Sequence, residues 1–322
     1  MSEKARIVTL TLNPAIDISS EAETVRHTHK VRTRGEAMEP GGGGINVARV
    51  LAKLDADVTA LFLGGGATGR LLDELLERAG IARRMIETGE DSRVSLTVLE
   101  TSTGHEYRFV PEGPEVTERE AAEAIEAAVE AGCDYLIASG SLPRGVAVDF
   151  YAKLASRLAE RGTRFVLDTS GEPLKTALDR GGIFLVKPSR GEFEAFAGRK
   201  LSAADLAKEA ERLVAAGTAE NVAITLGREG AILASREGTQ VVPAIPVEAC
   251  SAVGAGDSFT AGMVYGFSLG RSAGEAFRVG LAAGAAAVLS CGSELAKRDD
   301  LERLVAAALS GEQVDDFDVR RD

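Results

Sequence analysis

The sequence of 322 residues predicts an α/β fold in which helices cover a mostly parallel sheet. Short apolar runs alternate with segments of helical periodicity, which is the pattern of repeated strand and helix units. Polar or glycine-rich segments directly follow several of these runs, at the strand ends where ligands bind in such folds. With 45% apolar residues, the chain can fill one large core or two modest domains.

The predicted elements follow one another in this alternating order. The first are a strand at residues 7–12, a helix beginning at Ile45, a strand at residues 58–63 and a helix at residues 71–79. The later strands are predicted at residues 135–138, 165–167, 184–186 and 222–226. Because the carboxyl ends of parallel strands meet at one edge of a sheet, the polar segments that follow them should lie close together.

One stretch departs from the alternation. Residues 93–99 alternate polar and apolar side chains, a turn follows at residues 102–104, and residues 106–110 return as a second strand, which predicts a hairpin. Together with residues 13–37, which we predict to be irregular, this hairpin could form a small sheet outside the main fold. Two interpretations stay open, namely a lid over a ligand site and an ordinary hairpin at the sheet edge.

Charge and composition exclude several classes of function. The formal net charge is −12 and no lysine- or arginine-rich block occurs, so a broad nucleic-acid interface is not expected. An anionic ligand would therefore need backbone N–H groups, helix N-termini or a few placed cations. No stretch approaches the roughly 18 apolar residues of a membrane span. We expect a cytoplasmic protein, and the three cysteines without a CxxC pair predict neither disulfides nor zinc.

The segment SAVGAGD at residues 251–257 places small residues before an acid at the start of a helical pattern. Its N–H groups at a helix N-terminus would stabilise a phosphoryl group during transfer. The carboxylate of Asp257 could accept a proton from an attacking hydroxyl. Aspartate is also a common helix cap, and the local sequence alone favours that simpler role.

A second glycine-rich segment, GGGGINVAR at residues 41–49, opens another helical pattern. Four glycines cost conformational entropy, and a flexible linker would not lead into a well-patterned helix. We expect the backbone of this loop to lie against a polar ligand, with the Asn46 amide reaching its hydroxyl groups. Neither a Walker A loop nor a dinucleotide-binding glycine fingerprint fits the sequence.

These segments, taken in order, resemble those of the ribokinase-like (PfkB) sugar kinases. The matching motifs are NPAID at residues 13–17, GGGGIN at residues 41–46, SGSLP at residues 139–143, KP at residues 187–188 and GAGD at residues 254–257. The resemblance covers residues 6–310 and implies a three-layer ribokinase-like fold with a small β-sheet lid. It also implies that Asp257 is the catalytic base.

The segments at residues 41–49, 64–69 and 105–110 are most similar to those of the minor bacterial 6-phosphofructokinase branch. That branch implies transfer of phosphate from ATP to the 1-hydroxyl of fructose 6-phosphate, giving fructose 1,6-bisphosphate. 1-Phosphofructokinase and tagatose-6-phosphate kinase are the alternatives within the family. A sugar-phosphate or nucleotide sensor without catalysis is the alternative from another class, since fold does not fix function.

The resemblance assigns roles to individual residues. The anion loop beside the base comprises Gly254, Ala255 and Gly256. The sugar hydroxyls are assigned to Asp17, Gly42, Gly43 and Asn46, and the phosphate of the substrate to Lys30, Arg93, Arg108 and Ser141. Without the motifs, the three cations among them would be read as ordinary solvated charges. The nucleotide side comprises Lys187, Ser189, Glu192, Thr225 and Gly227.

The same resemblance implies Mg²⁺ with ATP and potassium beside the anion loop. Glu192 would hold Mg²⁺ through water, although a helix N-terminal acid is its simpler interpretation. Potassium would be bound by Ser251, Val253, Ala287, Ser290 and Gly292. Ser189 stands where the family commonly has Asn, and Ala252 where Thr or Pro is frequent, which puts metal affinity and loop rigidity in question.

The expected organisation has three parts. Residues 1–12, 38–92 and 111–310 form the α/β core that binds nucleotide and substrate, residues 13–37 and 93–110 form the β lid, and residues 311–322 form a polar tail. The partners we expect are ATP and a phosphorylated ketohexose, with no nucleic acid and no membrane. The open hairpin also predicts a homodimer that pairs through the lids.

Overall fold

A computed structural model describes residues 4–290 and 295–310. The strands are β1 (Arg6–Thr11), β2 (Ala15–Ala22), β3 (Arg34–Gly41), β4 (Asp57–Gly65), β5 (Ala82–Thr88), β6 (Arg93–Glu100), β7 (His105–Phe109), β8 (Tyr135–Ser139), β9 (Arg164–Asp168), β10 (Ile183–Val186), β11 (Ala219–Thr225), β12 (Ala231–Ser235) and β13 (Gly238–Val242). The helices are α1 (Gly43–Lys53), α2 (Gly66–Arg78), α3 (Glu118–Glu130), α4 (Phe150–Ala159), α5 (Gly171–Arg180), α6 (Arg190–Ala197), α7 (Ala203–Ala215), α8 (Ala255–Ser268), α9 (Ala273–Val288) and α10 (Arg298–Ser310).

The main sheet has nine strands in the order β13-β12-β11-β10-β9-β8-β1-β4-β5. Every neighbouring pair from β11 to β5 is parallel, and β12 and β13 extend the sheet as an antiparallel hairpin. The strands predicted in the alternating part of the chain all belong to this sheet, so the α/β class with a mostly parallel sheet is confirmed. The antiparallel hairpin of β12 and β13 was not predicted from the sequence.

Helices cover both faces of the main sheet, because its strands are apolar on both sides. Alternate residues of β1 illustrate this, with Ile7 in the core shared with α1, α8 and α9 and Val8 in the core shared with α3, α4 and α7. A capping box at Thr117 starts α3 and another at Ser272 starts α9. The result is three layers, with the carboxyl ends of the parallel strands along one edge.

A second, separate sheet of four strands has the order β3-β2-β6-β7. The hairpin β6–β7 pairs with β2 in this sheet and not with the main sheet, so the interpretation as an ordinary edge hairpin is wrong. Residues 13–37 are not irregular either, since they contribute β2 and the start of β3. We call this second sheet the lid.

The lid has one apolar and one polar face, because side chains of a strand alternate between the faces. On the apolar face, Met38, Ile18, Leu96 and Phe109 lie opposite one another across all four strands. Of these, Met38 is 51% exposed, Leu96 38% and Phe109 59%. A row of apolar side chains therefore crosses this face, exposed on β3, β6 and β7 and half-buried at Ile18 of β2.

The helices, the cysteines and the C-terminal tail relate to three further expectations from the sequence. Across the described ranges, every helix is too short or too polar to span a lipid bilayer. Cys250 is disulfide-bonded, so the expectation of no disulfide is wrong, whereas Cys133 is a free, buried thiol. The predicted tail at residues 311–322 lies outside the described residues.

Candidate active site

The loop before α8 brings Asp257 to the carboxyl edge of the main sheet. Gly254 is the N-cap of α8 and has a left-handed conformation with φ of 71°, which glycine adopts without strain. No side chain caps this helix, so Asp257 is not a cap although it lies in the first turn. The N–H of Ala255 donates to the carbonyl of Ala252 at 3.4 Å. The following N–H groups of the first turn of α8 have no intrahelical acceptor, and the helix dipole favours an anion there.

Asp257 is contacted by the amide of Asn46 from the first turn of α1. The Nδ2 group of Asn46 donates to Oδ2 of Asp257 at 2.9 Å. Removal from water, together with the negative charge of Asp168, raises the pKa of Asp257 to about 7, against the stabilising effects of Asn46, Lys187 and Ser139. A carboxylate with this pKa can exchange a proton with a hydroxyl group near neutral pH.

The glycines before α1 are explained by contacts within the protein. A Cβ at Gly41 would lie 2.0 Å from a carboxylate oxygen of Asp17, and a Cβ at Gly43 would lie 2.2 Å from the hydroxyl of Ser139. Gly42 is the N-cap of α1 with φ of 112°. The absence of side chains lets α1 approach the strand ends closely. This close packing is a different reason for the glycines than the ligand contact expected from the sequence.

The polar face of the lid gathers the predicted substrate residues. Asp17 pairs with Ser95 across β2 and β6, and Arg93 and Arg108 project from the same face of the lid. Burial raises the pKa of Asp17, while the positive charges of Arg93 and Arg108 oppose the shift. Asp17 therefore lies within electrostatic reach of both arginines, as the proposed roles require.

Arg93 is already engaged by the backbone. Its two terminal nitrogens donate to the carbonyls of Pro111 at 2.9 Å and Asn13 at 2.8 Å, while its buried Nε has no partner. These carbonyls belong to two of the segments that connect the lid to the core. Arg93 therefore holds the base of the lid as well as facing Asp17.

Ser141 is joined to the site by Asn13. The Nδ2 group of Asn13 donates to the hydroxyl of Ser141 at 3.3 Å and to the carbonyl of Glu112 at 2.9 Å. The buried Oδ1 of Asn13 has no partner. The motif NPAID contained this residue, but sequence reasoning gave it no role.

Lys30 is not brought to the other predicted substrate residues. It is exposed and lies in the connection between β2 and β3, beyond the pair formed by Glu21 and Arg34 at the tip of the lid. Asp17 is near the opposite end of β2, and at about 3.4 Å per residue the five residues to Ala22 alone span about 17 Å.

The nucleotide-side residues lie on two adjacent loops. Ser189 and Thr225 form a bridge between the segments that follow β10 and β11. Gly227 begins a short 3-10 helix. Arg190 forms a bidentate ion pair with Glu229 of that helix, with N–O distances of 2.8 and 3.0 Å.

Lys187 is buried at the end of β10 and forms an ion pair with Asp168 at 3.2 Å. Burial alone would lower the pKa of Lys187, but the charges of Asp168 and Glu192 outweigh it and raise that pKa. A Cβ at Gly256 would lie 3.5 Å from the Lys187 ammonium, so this cation lies directly beneath the anion loop.

Glu192 forms a capping box with Ser189. One carboxylate oxygen accepts from the backbone N–H of Ser189 at 2.7 Å and from its hydroxyl at 2.8 Å. The other oxygen and the remaining lone pairs are free to accept water around a cation, and a single carboxylate fits a Mg²⁺ ion that keeps most of its waters. No cluster of three or more acidic, histidine or cysteine ligands occurs within the described ranges.

The predicted potassium ligands lie around the start of α8 and the end of α9, except Gly292, which is outside the described residues. The hydroxyl of Ser290 is buried and has no hydrogen-bond partner among the residues that the structure describes. Such an orphaned oxygen fits a cation that accepts oxygen ligands. The hydroxyl of Ser251 instead accepts from the N–H of Val253 at 3.2 Å.

A cavity of about 770 Å³ separates the lid hairpin from the segment before α8. Arg108 and Glu106 of β7 line one side, and Ser251, Ala252 and Val253 line the other. The hairpin therefore faces the loop that carries Asp257, across a space of the size that a small ligand needs.

Sequence reasoning missed Asp168, Thr260 and Ser139. Asp168 and Ser139 each directly follow a predicted strand. That position at the carboxyl edge of the sheet could have indicated a role in the site. Thr260 lies within an apolar helical pattern that gives no sign of a polar contact.

Comparisons with known proteins agree with this geometry. The model of the pfkB family carbohydrate kinases matches residues 8–299. The ATP-dependent 6-phosphofructokinase isozyme 2 of Mycobacterium tuberculosis H37Rv is 41% identical over 319 residues, which cover 97% of this chain and 92% of that protein.

Two solved structures of phosphofructokinase-2 from Escherichia coli are similar throughout. The structure in complex with potassium has a TM-score of 0.90 at 37% identity, and the structure in complex with fructose-6-phosphate has a TM-score of 0.88 at 36% identity. Each similarity covers 94% of this chain and 99% of the other chain. The ribokinase-like fold is therefore confirmed.

Proposed function

Because the chain belongs to the pfkB family of carbohydrate kinases, we propose that it transfers the γ-phosphoryl group of ATP to the 1-hydroxyl of fructose 6-phosphate. The observation that carries the proposal is Asp257, which lies in the first turn of α8 beside uncapped N–H groups and has a pKa raised to about 7. Similar proteins named as 6-phosphofructokinases support the choice of substrate.

The carboxylate of Asp257 takes the proton of the 1-hydroxyl as its oxygen attacks the γ-phosphorus. The new O–P bond forms while the bond from phosphorus to the β-phosphate oxygen breaks, and ADP leaves. The N–H groups at Gly254 to Asp257 stabilise the charge of the transferring group, and the Lys187 ammonium beneath the loop adds a positive charge. Positioning and electrostatics thus supply most of the catalysis expected for phosphoryl transfer.

On the substrate side, Asp17 and Asn46 bind sugar hydroxyls, and Arg93, Arg108 and Ser141 bind the 6-phosphate. Guanidinium groups match a phosphate dianion well, which explains how an acidic protein can hold an anionic sugar. The exposed guanidinium group of Arg108 is available for this role.

On the nucleotide side, Ser189, Glu192, Thr225 and Gly227 line the ATP site. When bound with ATP, Mg²⁺ would neutralise phosphate charge, and Glu192 would hold it through water. Potassium would bind near Ser290, whose buried hydroxyl has no partner within residues 4–290 and 295–310. The relative that was solved with potassium supports this part of the proposal.

The assembly we propose is a homodimer formed through the apolar faces of the lids. The exposed row containing Met38, Leu96 and Phe109 gives each copy a surface that favours burial. Pairing of lids would also give Lys30 a role, since a residue at the lid tip can reach a phosphate held by a second copy.

The test is a coupled assay of ADP release with fructose 6-phosphate, fructose 1-phosphate and tagatose 6-phosphate at saturating Mg-ATP. The largest kcat/KM is expected for fructose 6-phosphate. A preference for fructose 1-phosphate or tagatose 6-phosphate would move the enzyme to another branch of the family. Binding of a sugar phosphate without any ADP release would instead establish a sensor.

A further inference from the structure

The buried carboxylate of Asp168 has no role in the proposed reaction, yet it contacts Lys187 and lies close enough to act on Asp257. Asp168 ends β9 and Lys187 directly follows β10, and these strands are parallel neighbours in which Leu167 pairs with Val186. The next residues, Asp168 and Lys187, therefore meet at the carboxyl edge of the sheet. Their side chains are 13% and 5% exposed, and the carboxylate lies 3.2 Å from the ammonium.

The second oxygen of Asp168 is tied to α8. The hydroxyl of Thr260 lies 3.3 Å from Oδ2 of Asp168 and 3.1 Å from the carbonyl of Gly256. Thr260 is three residues after Asp257 in the same helix. One carboxylate thus connects β10 with the helix that begins at the anion loop.

We propose that Asp168 is a positioning residue, which fixes the Lys187 ammonium beneath the anion loop and acts through its charge on the base Asp257. This inference rests on the proposed function. A purely structural ion pair is a weak alternative, because a buried pair contributes little net stability compared with apolar side chains. The surroundings of β9 and β10 are otherwise apolar and would have accommodated such side chains.

Charged groups and hydrogen-bond donors from several neighbouring elements act on the carboxylate of Asp257. Asp168 contributes a negative charge from β9 and Lys187 a positive charge from β10, while Asn46 and Ser139 donate hydrogen bonds from α1 and β8. Removing the charge of Asp168 leaves the positive charge of Lys187 less compensated, with Glu192 as the remaining negative charge besides Asp257 itself. Both changes favour ionisation of Asp257, so they act in the same direction.

The main experiment compares the wild-type enzyme with Asp168→Asn, which keeps the shape and removes the charge. We expect kcat to fall at least about tenfold, since the phosphoryl group loses a fixed cation. We also expect the acid limb of the kcat profile to move to lower pH by about one unit. The dissociation constant of fructose 6-phosphate should stay within about twofold, because Asp168 has no place in the sugar site.

A matched control is Asp73→Asn. Asp73 forms a two-pronged ion pair with Arg83 at 3.0 and 3.1 Å, and this pair joins α2 to β5. Four strand spacings of about 4.8 Å separate β5 from β9, so the control lies roughly 19 Å away across the sheet. It should leave kcat and the position of the acid limb unchanged.

The inference is overturned if Asp168→Asn lowers the melting temperature but leaves kcat within about threefold and the acid limb in place. If that variant does not fold, the double variant Asp168→Asn with Lys187→Met removes both charges and avoids an unpaired buried ion. Its kcat should lie within about threefold of the kcat of Lys187→Met alone. Once the Lys187 ammonium is absent, Asp168 has no cation left to position. A further tenfold loss in the double variant would also contradict the proposal.

An NMR titration, which needs no turnover, tests the action of Asp168 on Asp257 separately from the proposed kinase activity. In protein labelled with ¹³C at aspartate carboxyls, the Asp257 resonance, assigned with Asp257→Asn, should titrate at lower pH in the Asp168→Asn variant. An unchanged midpoint would refute the action of Asp168 on the base. A wild-type protein that shows this titration but releases no ADP with any of the three sugar phosphates would refute the proposed function instead.

Discussion

A carboxylate that is partly removed from water holds its proton to higher pH, and Asp257 is such a group. In the reaction that we propose, this property makes Asp257 a general base that is half-ionised near neutral pH. We expect Asp257→Asn to lower kcat by about 10² to 10⁴ while changing the affinity for fructose 6-phosphate little, because the lost proton acceptor acts in the transition state. Steady-state kinetics with the coupled assay measure both quantities.

Asp205→Asn is the matched control for this variant. Asp205 occupies the same position in α7 as Asp257 in α8, three residues after the N-cap, but its carboxylate accepts from the hydroxyl of Ser202 on the surface. Normal kcat in the Asp205 variant and a large loss in the Asp257 variant would assign the effect to the site. Near-normal kcat in Asp257→Asn would exclude Asp257 as the base.

The raised pKa of Asp257 also predicts how stability changes with pH. The folded-state pKa of about 7 lies above the unfolded value, so the contribution of Asp257 to stability is fully present below the unfolded pKa. That contribution is lost as the pH rises through about 7, and the loss reaches about 2 to 4 kcal/mol.

Urea denaturation of the wild-type protein and Asp257→Asn at several pH values measures this effect. The variant does not titrate at this position, so its stability relative to the wild type should increase between pH 5 and pH 8 and then level off. A constant difference across that range would show that the pKa of Asp257 is not raised in the folded protein.

At the scale of elements, the start of α1 depends on close contact with β1. A Cβ at Gly44 would lie 2.5 Å from the hydroxyl of Thr11 and 2.8 Å from the carbonyl of Leu10. Gly44→Ala is therefore expected to destabilise the protein by about 1 to 3 kcal/mol, as overpacking does. It should also lower kcat, because α1 carries Asn46 to Asp257.

Gly191→Ala serves as the control for stability, since a Cβ there would meet no atom within 4 Å. Gly191 lies within α6, where alanine is a better helix former by about 0.8 to 1.0 kcal/mol. Urea denaturation should show opposite signs for the two substitutions. Equal effects would mean that α1 tolerates a side chain at Gly44 by moving away from β1.

For the whole molecule, the lid determines the assembly that we propose. Phe109→Glu places a charge in the exposed apolar row and should convert dimers to monomers, because burying an unpaired charge is unfavourable. Analytical ultracentrifugation over a range of protein concentrations measures the change in sedimentation. We expect the monomeric variant to lose affinity for fructose 6-phosphate if Lys30 of a second copy contributes to the site.

Val241→Glu is the control for this experiment. Val241 lies on β13 of the main sheet and is 58% exposed, close to the 59% of Phe109, but it is not part of the lid. The control should sediment as the wild type does. Dissociation by both substitutions, or by neither, would place the interface elsewhere or show that the lids do not pair.

The sequence by itself predicted the fold class and suggested most of the residues that we propose for the site. Apolar alternation predicted the parallel sheet, and the order of glycine-rich and polar motifs indicated the family, because both signals are local and are read along the chain. The hairpin β6–β7 was predicted for the same reason. The strands β2 and β3 were not, since their side chains are mixed and pairing stabilises them more than local propensity does: β2 pairs with β6, and β3 pairs with β2.

The tertiary structure alone decided which side chains meet. Asp257 resembled a helix cap in the sequence, and its contact with Asn46 crosses 211 positions of the chain. The pair of Asp168 and Lys187 and the placement of Lys30 at the lid tip likewise depend on strand order and register. Burial and neighbouring charge, which give Asp257 its pKa of about 7, exist only after the strands and helices pack together.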